Sequence, residues 1–467
     1  MRTSNFIKIT LVSASMIAVI TQSPAQSVEF ANARSMGMAR ASMVSARGID
    51  AIGLNPANLG LADRSPFSVS IFPLGVHIGT NFITYERYKA YFTGTQTDSG
   101  KVGRYLSESD KEDILNYFPE GMGKMASGGA ITLFAMTYID ENLGGFAFTV
   151  NERFGASASI PRDYLRLLLY GNPLGSTYDF SGTEANGEWL REYAISYGRQ
   201  LPSFLQHTTI SVGVSLKLLH GFAFGSVDEF SAMVTTDPNS ALTGTAKYRG
   251  RSATIDAIND TTHSGFVLFP APAGTGFGFD LGATAHIGQA FWFGMSVIDV
   301  GSMTWTRNTR EYRGDTSVTI TDLTTQAKRD SITDTFKSKE YPVESFNTSL
   351  PSVLRCGVAV DVQQLPFMKA MPGQMVVELD YIQGLNSFVG NTTSPRFALG
   401  VDYHLLRWLP IRTGFAFGGS ERVHWGLGSG VNLDGFDFEI GTEDIIAILA
   451  PSVMSTASLA IGMRLRF

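Results

Sequence analysis

The sequence predicts an all-β protein, a transmembrane antiparallel β-barrel of about 14 strands, the even number that single-chain barrels usually have. Three observations favour this fold. Apolar residues alternate with small or polar residues in many segments, only 17% of the 467 residues are charged, and an alternating final segment ends at the aromatic Phe467. Soluble domains carry about 25% charged residues, so this chain has less polar surface than a water-exposed protein needs.

Composition excludes several classes of protein. The formal net charge of −6 argues against a nucleic-acid-binding protein, which would need a basic footprint. The single cysteine excludes a disulfide framework and any multi-cysteine metal site. Beyond residue 25, the sequence has no apolar run close to the ~18 residues of a membrane-spanning helix. A membrane protein of this composition would therefore cross the bilayer with strands.

The first segment predicts export. Arg2 and Lys8 precede an apolar run over residues 9–20, and small residues follow it. This order is typical of a secretory signal peptide, here residues 1–25, with cleavage after about Ala25. Export and the barrel fold together predict a location in the outer membrane of a Gram-negative cell, in contact with its lipid.

The barrel is predicted over residues 67–467. Within residues 210–218, apolar side chains at even positions alternate with Ser, Gly and Lys, and residues 277–287 and 354–362 repeat the pattern. A soluble β-sandwich also alternates, because successive side chains of a strand point to opposite faces. Its solvent face, however, would be rich in Lys, Glu and Thr. The small residues found here indicate a crowded lumen instead.

Three segments interrupt the strand pattern. A capping box at residues 109–112 predicts a helix that continues to Tyr117. Residues 161–170, followed by Gly171, predict a second short helix. Residues 301–347 are polar and rich in Thr, Asp and Arg, so we expect a long extracellular loop there.

Residues 26–66 precede the first strand and are rich in Gly, Ala and Ser. They contain Asn55-Pro56-Ala57, which favours a turn because the residue before a proline is driven out of the helical region. Together with the signal peptide, the barrel and the aromatic C-terminus, this segment resembles the FadL-type superfamily of long-chain fatty-acid transporters. Within it, the chain is more similar to the Bacteroidetes-type branch that includes the PorV-type secretion shuttle.

The resemblance implies that residues 26–66 fold into the barrel as a plug, with Asn55, Pro56 and Ala57 as its motif. The alternative is a surface turn that leads into the first strand. Charged residues at lumen-facing positions would hold the plug, or would pair with one another and stiffen the wall. These lumen-facing candidates are Arg355, Asp361, Glu378, Asp380, Arg396, Asp402 and Arg412.

Pro73 lies between two half-strands, residues 67–71 and 74–78, whose apolar positions change phase. A proline combined with a phase change is typical of a β-bulge. In the superfamily that the chain resembles, a strand kink can open a side gate. Pro73 is therefore a gate candidate, with an ordinary edge bulge as the alternative.

We find no catalytic constellation in the sequence and predict a protein without enzymatic activity, cofactor or metal. The seven histidines are scattered, and no two have metal-ligand spacing. The glycine-rich residues 274–278 lie inside a strand pattern and precede no helix, so they do not fit a dinucleotide-binding loop.

The sequence therefore predicts a transporter or channel for hydrophobic small molecules, gated by the plug. The alternative is a PorV-like outer-membrane scaffold or shuttle for secreted proteins, with residues 301–347 as its docking surface. A water-filled porin fits less well if the plug is real. The final strand resembles the segment that barrel assembly machinery recognises, so this machinery is a predicted partner through the strand ending at Phe467. A hydrophobic ligand or secreted proteins are the other predicted partners.

Overall fold

The computed structural model describes residues 28–98, 100–202, 206–238, 241–259, 269–320, 339–389, 391–419 and 423–467. The predicted signal peptide lies outside these residues. Within them, 14 antiparallel strands form a closed barrel, which confirms the predicted fold class. The wall strands are β1 (Phe67–Ser70 and Leu74–Thr80, two parts of one strand), β2 (Met122–Asp140), β3 (Gly144–Pro161), β4 (Glu184–Gln200), β5 (Thr208–Thr236), β6 (Gly274–Ile287), β7 (Phe291–Trp305), β8 (Val353–Asp361), β9 (Gln374–Gly384), β10 (Arg396–Leu406), β11 (Leu409–Gly418), β12 (Val423–Asn432), β13 (Phe436–Thr442) and β14 (Thr456–Arg466).

The last strand closes the barrel on the first. β14 pairs with both parts of β1, in a register that places Leu465 beside Val69. A main-chain hydrogen bond of 2.9 Å from Phe467 N to Phe67 O completes the seam. Closure pairs the backbone groups of the wall with one another, as a bilayer requires because lipid offers them no hydrogen bonds.

The outer face of the wall is apolar. On β6, Phe277 is 72% exposed and Leu281 is 51% exposed, whereas the alternate residues Gly276 and Asp280 are buried and face the lumen. Exposed Leu, Ile and Phe side chains recur on the outer face of the other wall strands. This arrangement, apolar outside and polar or small inside, is that of a transmembrane barrel.

The two ends of the barrel differ. Short turns at residues 141–143, 288–290 and 407–408 join strands at one end, which we call the short-turn mouth. Longer connections join the strands at the other end. In bacterial barrels the short turns face the periplasm and the longer loops face outward.

Strand β5 continues beyond the wall and carries an additional sheet. From Ala223 onward, β5 pairs with the strand Leu242–Thr254, which in turn pairs with Arg310–Ile320. Two short strands, Thr177–Asp179 and Lys339–Pro342, pair at either side of this sheet.

The segment expected to be one long loop, residues 301–347, instead contains much of this sheet. It also holds the end of β7 and the first half of the strand Phe346–Ser349, which pairs with β7. Residues 321–338 lie outside the described part of the chain. The polar residues 310–320 and 339–342 belong to strands that extend past the membrane, where one face carries cross-strand ion pairs such as Arg249–Glu311 at 3.4 Å.

Both predicted helices are present, and the first begins earlier than expected. It spans Glu108–Asn116, and its capping box joins Ser107 to Asp110 rather than starting at Ser109. The Asp110 N–H donates to the Ser107 hydroxyl at 3.2 Å, and the Ser107 N–H donates to the Asp110 carboxylate at 2.9 Å. The second helix spans Asp163–Tyr170 and ends, as predicted, at Gly171.

Several short elements complete the described chain. An outer hairpin pairs Thr95–Thr97 with Gly100–Val102. The remaining α-helices are Ala33–Gly37, Tyr85–Phe92, Asp256–Asn259 and Ile446–Leu449, and the 3-10 helices are Val28–Ala31, Gly48–Ala51, Pro56–Gly60, Pro119–Gly121, Val362–Gln364 and Pro451–Val453. No helix in the described residues is both long and apolar enough to cross a membrane.

Candidate functional site

The residues that precede β1 lie inside the barrel. We call residues 28–66 the inner segment. All residues from 33 to 46 and from 54 to 61 are buried. Many of these side chains are small, so the main chain of the inner segment approaches the wall closely.

The inner segment follows the inside of the wall from strand to strand. Its early residues contact β13 and β12, and its later residues reach β6, β5, β4 and β3. Many of these contacts fall on wall glycines, which we call the glycine ring: Gly145, Gly198, Gly213, Gly282, Gly294, Gly357, Gly400, Gly414, Gly426, Gly428 and Gly441.

The glycine ring makes room for the main chain of the inner segment. A Cβ atom on Gly213 would lie 2.3 Å from the carbonyl carbon of Pro56, and one on Gly414 would lie 2.2 Å from that of Met38. Both distances are shorter than real Cβ contacts, so a side chain there would displace main chain. The high glycine content of the sequence therefore has a specific structural role at these positions.

The Asn55-Pro56-Ala57 motif caps a short helix and binds it to the wall. Pro56 begins the 3-10 helix Pro56–Gly60, where its missing N–H costs no hydrogen bond. The Asn55 side-chain oxygen accepts a hydrogen bond from the Ala57 N–H at 3.1 Å, and its amide donates to Thr284 Oγ1 at 3.0 Å. The motif is thus part of the buried segment and contacts β6.

Three predicted lumen-facing residues form ion pairs or hydrogen bonds with the inner segment. Arg355 pairs with Glu29, and Asp402 pairs with Arg34 at 3.0 Å. Arg396 donates to the carbonyl oxygen of Ala39 at 3.2 Å. Buried pairs of this kind are costly to break, because removing one partner leaves the other charge buried without compensation.

Two predicted carboxylates bind the main chain of the inner segment. Glu378 accepts hydrogen bonds from the N–H groups of Val44 (2.5 Å) and Ser45 (3.1 Å). Asp380 accepts one from the Met43 N–H at 3.0 Å. A carboxylate that accepts hydrogen bonds from backbone N–H groups fixes the path of the chain and places a negative charge beside it.

The other two predicted residues form no ion pair or hydrogen bond with the inner segment within the described residues. Arg412 bridges Asp402 at 3.1 Å and Glu439 at 2.8 Å, so it acts on the segment through Asp402. Asp361 is half-buried at the end of β8, and its carboxylate makes no hydrogen bond to the inner segment within the described residues.

Several charged partners were missed by the sequence reasoning. Arg40 of the inner segment pairs with the buried Glu443 at 3.0 Å, and Arg396 pairs with the same carboxylate. Asp50 accepts from Arg464 at 2.5 Å, and Asp63 pairs with Arg466 at 3.2 Å. Two features of the sequence could have indicated these pairs. The segment carries isolated charges among small residues, and the last strand carries arginines at alternate positions.

A second buried network fills the lumen between β3 and β7. Arg153 pairs with Glu192 at 2.6 Å and with Asp299 at 3.0 Å. Lys217 pairs with Asp280 at 2.8 Å and with Asp299 at 2.7 Å. Asp299 has a φ of 56° beside a register irregularity in β6–β7 pairing. This network belongs to the wall itself and was not predicted.

Above the second network, toward the long loops, the lumen holds an aromatic cluster. Its buried members include Phe222, Phe224 and Trp305, and the half-buried Phe346 and Phe388 pack against them. Phe224 stacks on Trp305 with ring centroids 5.4 Å apart. This cluster fills the outer part of the lumen with apolar side chains.

The wall is interrupted at Pro73. The two parts of β1 end at Ser70 and restart at Leu74, and Phe72 between them has a φ of 58°. Thr132 of β2 bridges the gap, donating its N–H to Pro73 O and accepting from Phe72 N, both at 2.9 Å.

A cavity of about 50 Å³ lies directly behind this interruption. It is bounded by the inner segment on one side and by the wall on the other. Its lining includes Ala31, Ile49, Ile52, Ser70, Pro73 and Met463. A space of this size holds water rather than an organic ligand, so a larger solute would need the inner segment or the wall to move here.

No group of three or more His, Cys, Asp or Glu residues in the described part of the chain is arranged to hold a metal ion. The wall and the inner segment meet through ion pairs, hydrogen bonds, main-chain packing and small apolar clusters, such as Ala39 and Ala41 with Ala398 and Ala416.

Residues 60–443 match the model of a family described as "Family of unknown function (DUF5723)". The chain belongs to this family. No curated protein matches the sequence of this DUF5723 member.

Several solved barrels are similar to this DUF5723 member. The Ralstonia pickettii toluene transporter TbuX is 13% identical, with a TM-score of 0.46 over 93% of this chain and 98% of that chain. A TodX monoaromatic hydrocarbon channel mutant is 10% identical, with a TM-score of 0.42 over 93% and 97%. A Pseudomonas aeruginosa FadL homologue is 11% identical, with a TM-score of 0.40 over 96% and 98%. At these identities and TM-scores, no substrate or mechanism is carried over to this chain.

Proposed function

We propose that this DUF5723 member is an outer-membrane channel or transporter for hydrophobic small molecules, gated by its inner segment. The observation that carries the proposal is the cavity at Pro73, where the interrupted wall strand and the inner segment face each other. A solute that has entered the lumen would leave through the wall at this point once the inner segment shifts. The proposed gate therefore combines Pro73 with the segment that contains Asn55, Pro56 and Ala57.

The side chains inside the lumen support an apolar substrate. The buried aromatic cluster around Trp305 packs the long-loop side, so a solute that displaces it would meet apolar side chains. A large charged solute would meet the buried ion pairs of Arg153 and Lys217 next, at a high desolvation cost. A shift of the inner segment would break its buried ion pairs and open the small apolar clusters that it shares with the wall, such as Ala39 and Ala41 with Ala398 and Ala416, so the proposed gate opens only at a substantial cost.

A reversible cross-link tests the gate. The Cβ atom of Ala33 lies 3.9 Å from the Cβ position of Gly462 in β14, which suits a disulfide. The double variant A33C/G462C, made with C356S, is expressed in cells with an asymmetric outer membrane. Uptake of the apolar probe N-phenylnaphthylamine is expected to fall several-fold on oxidation and to recover with reductant.

A matched control keeps the disulfide but leaves the inner segment free. Gly187 of β4 has its Cβ position 3.6 Å from Ala156 Cβ of β3, so A156C/G187C links wall to wall. Oxidation of this variant should leave probe uptake unchanged. If oxidised and reduced A33C/G462C took up the probe equally, a gate at this part of the segment would be contradicted. If cells with and without the barrel took up the probe equally, transport itself would be contradicted.

The extended sheet favours a second candidate function, a scaffold or shuttle for secreted proteins. Strands Leu242–Thr254 and Arg310–Ile320 project beyond the wall and offer a polar face to a partner. A PorV-type assignment rests on the sequence resemblance alone. Co-purification of exported proteins that is lost when residues 242–254 and 310–342 are replaced by a short turn would favour this role over transport.

The proposal includes the cellular route that the sequence predicts. We infer export with cleavage after about Ala25 and insertion into the outer membrane, where lipid covers the apolar outer face. The assembly machinery would recognise β14 together with Phe467, which follows the strand at the closing seam and is 67% exposed. Loss of outer-membrane assembly after deletion of Phe467 is the expected result.

A further inference from the structure

Strand β13 is the shortest continuous strand of the described wall. It contains 7 residues, whereas its neighbours β12 and β14 contain 10 and 11. At about 3.3 Å per residue and a tilt of about 40°, seven residues rise only about 18 Å. The apolar band of an outer-membrane barrel is about 25 Å tall, so β13 alone does not span it.

The missing length of β13 lies at its long-loop end. At the other end β13 begins level with its neighbours, because Phe436 pairs with Leu465 near the end of β14. At the long-loop end β13 stops at Thr442, whereas β12 continues above it for residues 423–426 and β14 for residues 456–459. The wall therefore has a gap between β12 and β14, which we call the β13 notch.

The chain that follows β13 fills the notch and bonds to both of its sides. The Asp444 carboxylate accepts hydrogen bonds from Thr456 Oγ1 at 2.7 Å and Ser458 Oγ at 2.8 Å, both on β14. On the β12 side, the Ile445 N–H donates to Trp425 O at 2.9 Å. Asp444 and Ile445 are both buried. This part of the connection is thus tied into the wall at the height of the missing strand residues.

The same connection then presents apolar side chains to the outside. The helix Ile446–Leu449 follows directly, and its residues Ile448 and Leu449 are 65% and 66% exposed. The wall residues that flank the notch, Trp425 of β12 and Leu459 of β14, are also exposed and belong to the apolar outer face. The exposed side of this helix is therefore continuous with the surface that the barrel turns toward lipid.

A second helix borders the first at this end of the barrel. Tyr85, where that helix begins, donates its N–H to Met454 O at 3.0 Å. Tyr85, Tyr88 and Phe92 recur at helical spacing and are all exposed, and the rings of Tyr88 and Phe92 stack with centroids 6.2 Å apart. The Lys89 amine lies 5.6 Å from the ring centre of Tyr85. Tyrosine is enriched at membrane–water interfaces, and lysine side chains reach from there to the headgroups.

We propose that the helices Ile446–Leu449 and Tyr85–Phe92 form a lipid-binding surface above β13, with acyl chains of the outer leaflet as its ligand. The first helix occupies the height that β13 lacks, so its apolar side chains complete the band. The aromatic face of the second helix lies at headgroup level, where barrels carry girdles of aromatic residues. The proposal goes beyond the proposed function, because contact with lipid requires neither a transported solute nor movement of the inner segment.

The test uses nitroxide labels on the full mature chain, reconstituted in phosphatidylcholine vesicles. Labels are attached to I448C or Y88C in a C356S background, since Cys356 is the single cysteine of the chain. Collision of the label with oxygen, which is concentrated in lipid, is compared with collision with a water-soluble nickel complex. L281C on the outer face of β6 gives the value for lipid, and K247C on the sheet beyond the wall gives the value for water.

For I448C, the ratio of oxygen to nickel accessibility is expected to match that of L281C and to exceed that of K247C several-fold. For Y88C we expect an intermediate ratio, because its position is interfacial. A ratio equal to that of K247C at either position would overturn this surface. Dipolar broadening between labels of two chains at I448C, with both reagents excluded, would show that a second copy covers the helix and would overturn the assignment to lipid.

Discussion

The two halves of the barrel wall differ in height and in what fills the lumen beside them. Strands β2 to β5 contain 19, 18, 17 and 29 residues, whereas β10 to β13 contain 11, 10, 10 and 7. Beside the short strands, the inner segment occupies the lumen. Beside the tall strands, the inner segment lies near the short-turn mouth, and side chains of the wall fill the space above it.

This difference separates two kinds of closure. The short half is closed by a chain segment that is joined to the wall through ion pairs and glycine contacts. The tall half is closed by Arg153, Lys217 and the aromatic cluster, which are part of the wall. A change in the inner segment should therefore affect the short half first, and the following variants test this distinction.

The largest effect is expected for E443Q. The substitution leaves the buried guanidiniums of Arg40 and Arg396 without their shared carboxylate, at a cost of about 3–5 kcal/mol. The free energy of unfolding is measured in detergent by urea titration with tryptophan fluorescence. The control E229Q removes an exposed carboxylate that pairs with Lys247, and should cost under about 1 kcal/mol.

The pH dependence of E443Q sharpens the same prediction. Burial alone would raise the pKa of Glu443, but Arg396 and Arg40 hold it well below its usual range. A carboxyl group with a lowered pKa stabilises the fold above its unfolded pKa of about 4.3 and loses that contribution as pH falls. Wild-type protein should therefore lose stability below about pH 4.3 more steeply than E443Q. Parallel pH profiles would show that this carboxylate does not anchor the segment.

A smaller effect is expected for G213A. The added Cβ would lie 2.3 Å from the main chain at Pro56, and overpacking of this kind typically costs about 1–3 kcal/mol. The control G225A lies on the same strand, β5, with no atom within 4 Å of the new carbon. If both alanines had the same effect on the free energy of unfolding, strand propensity rather than the inner segment would explain the glycine at position 213.

The smallest effect is expected for N55A. Alanine removes the cap of the Pro56–Gly60 helix and the hydrogen bond to Thr284, and lost caps cost about 0.5–2 kcal/mol. N55D keeps the cap to the Ala57 N–H and loses the amide donor, so the two variants separate capping from attachment to β6. A stability equal to wild type in N55A would mean that the motif serves no structural role here.

The sequence predicted the barrel because its signal is repeated in every wall strand. The alternation in residues 210–218 and 277–287 shows which face of each strand is apolar. It can be read from residues that are adjacent in the sequence, without knowledge of the fold. The lumen-facing positions of Glu378, Asp380 and Arg396 follow from the same periodicity. The inner segment was located by resemblance, and its buried position is visible only once the wall is closed around it.

The partners of the site could not be predicted, because they depend on register and on long-range packing. Arg40 meets Glu443 across most of the chain, and the pairing of Lys217 with Asp299 depends on a register irregularity in the β6–β7 pairing. The strands within residues 301–347 were not predicted because a strand outside the membrane has no lipid-facing apolar side. Its sequence therefore shows no alternation of apolar and polar residues.

The central claim is that residues 33–61 are a buried part of the folded barrel, held by the wall. Hydrogen–deuterium exchange of the purified barrel in detergent tests it directly. The account predicts that the hydrogen-bonded amides of Met43, Val44 and Ser45 exchange as slowly as those of wall strands β9 and β10. Exchange as fast as that of residues 103–105, which are exposed and lie outside any helix or strand in the outer connection, would contradict it.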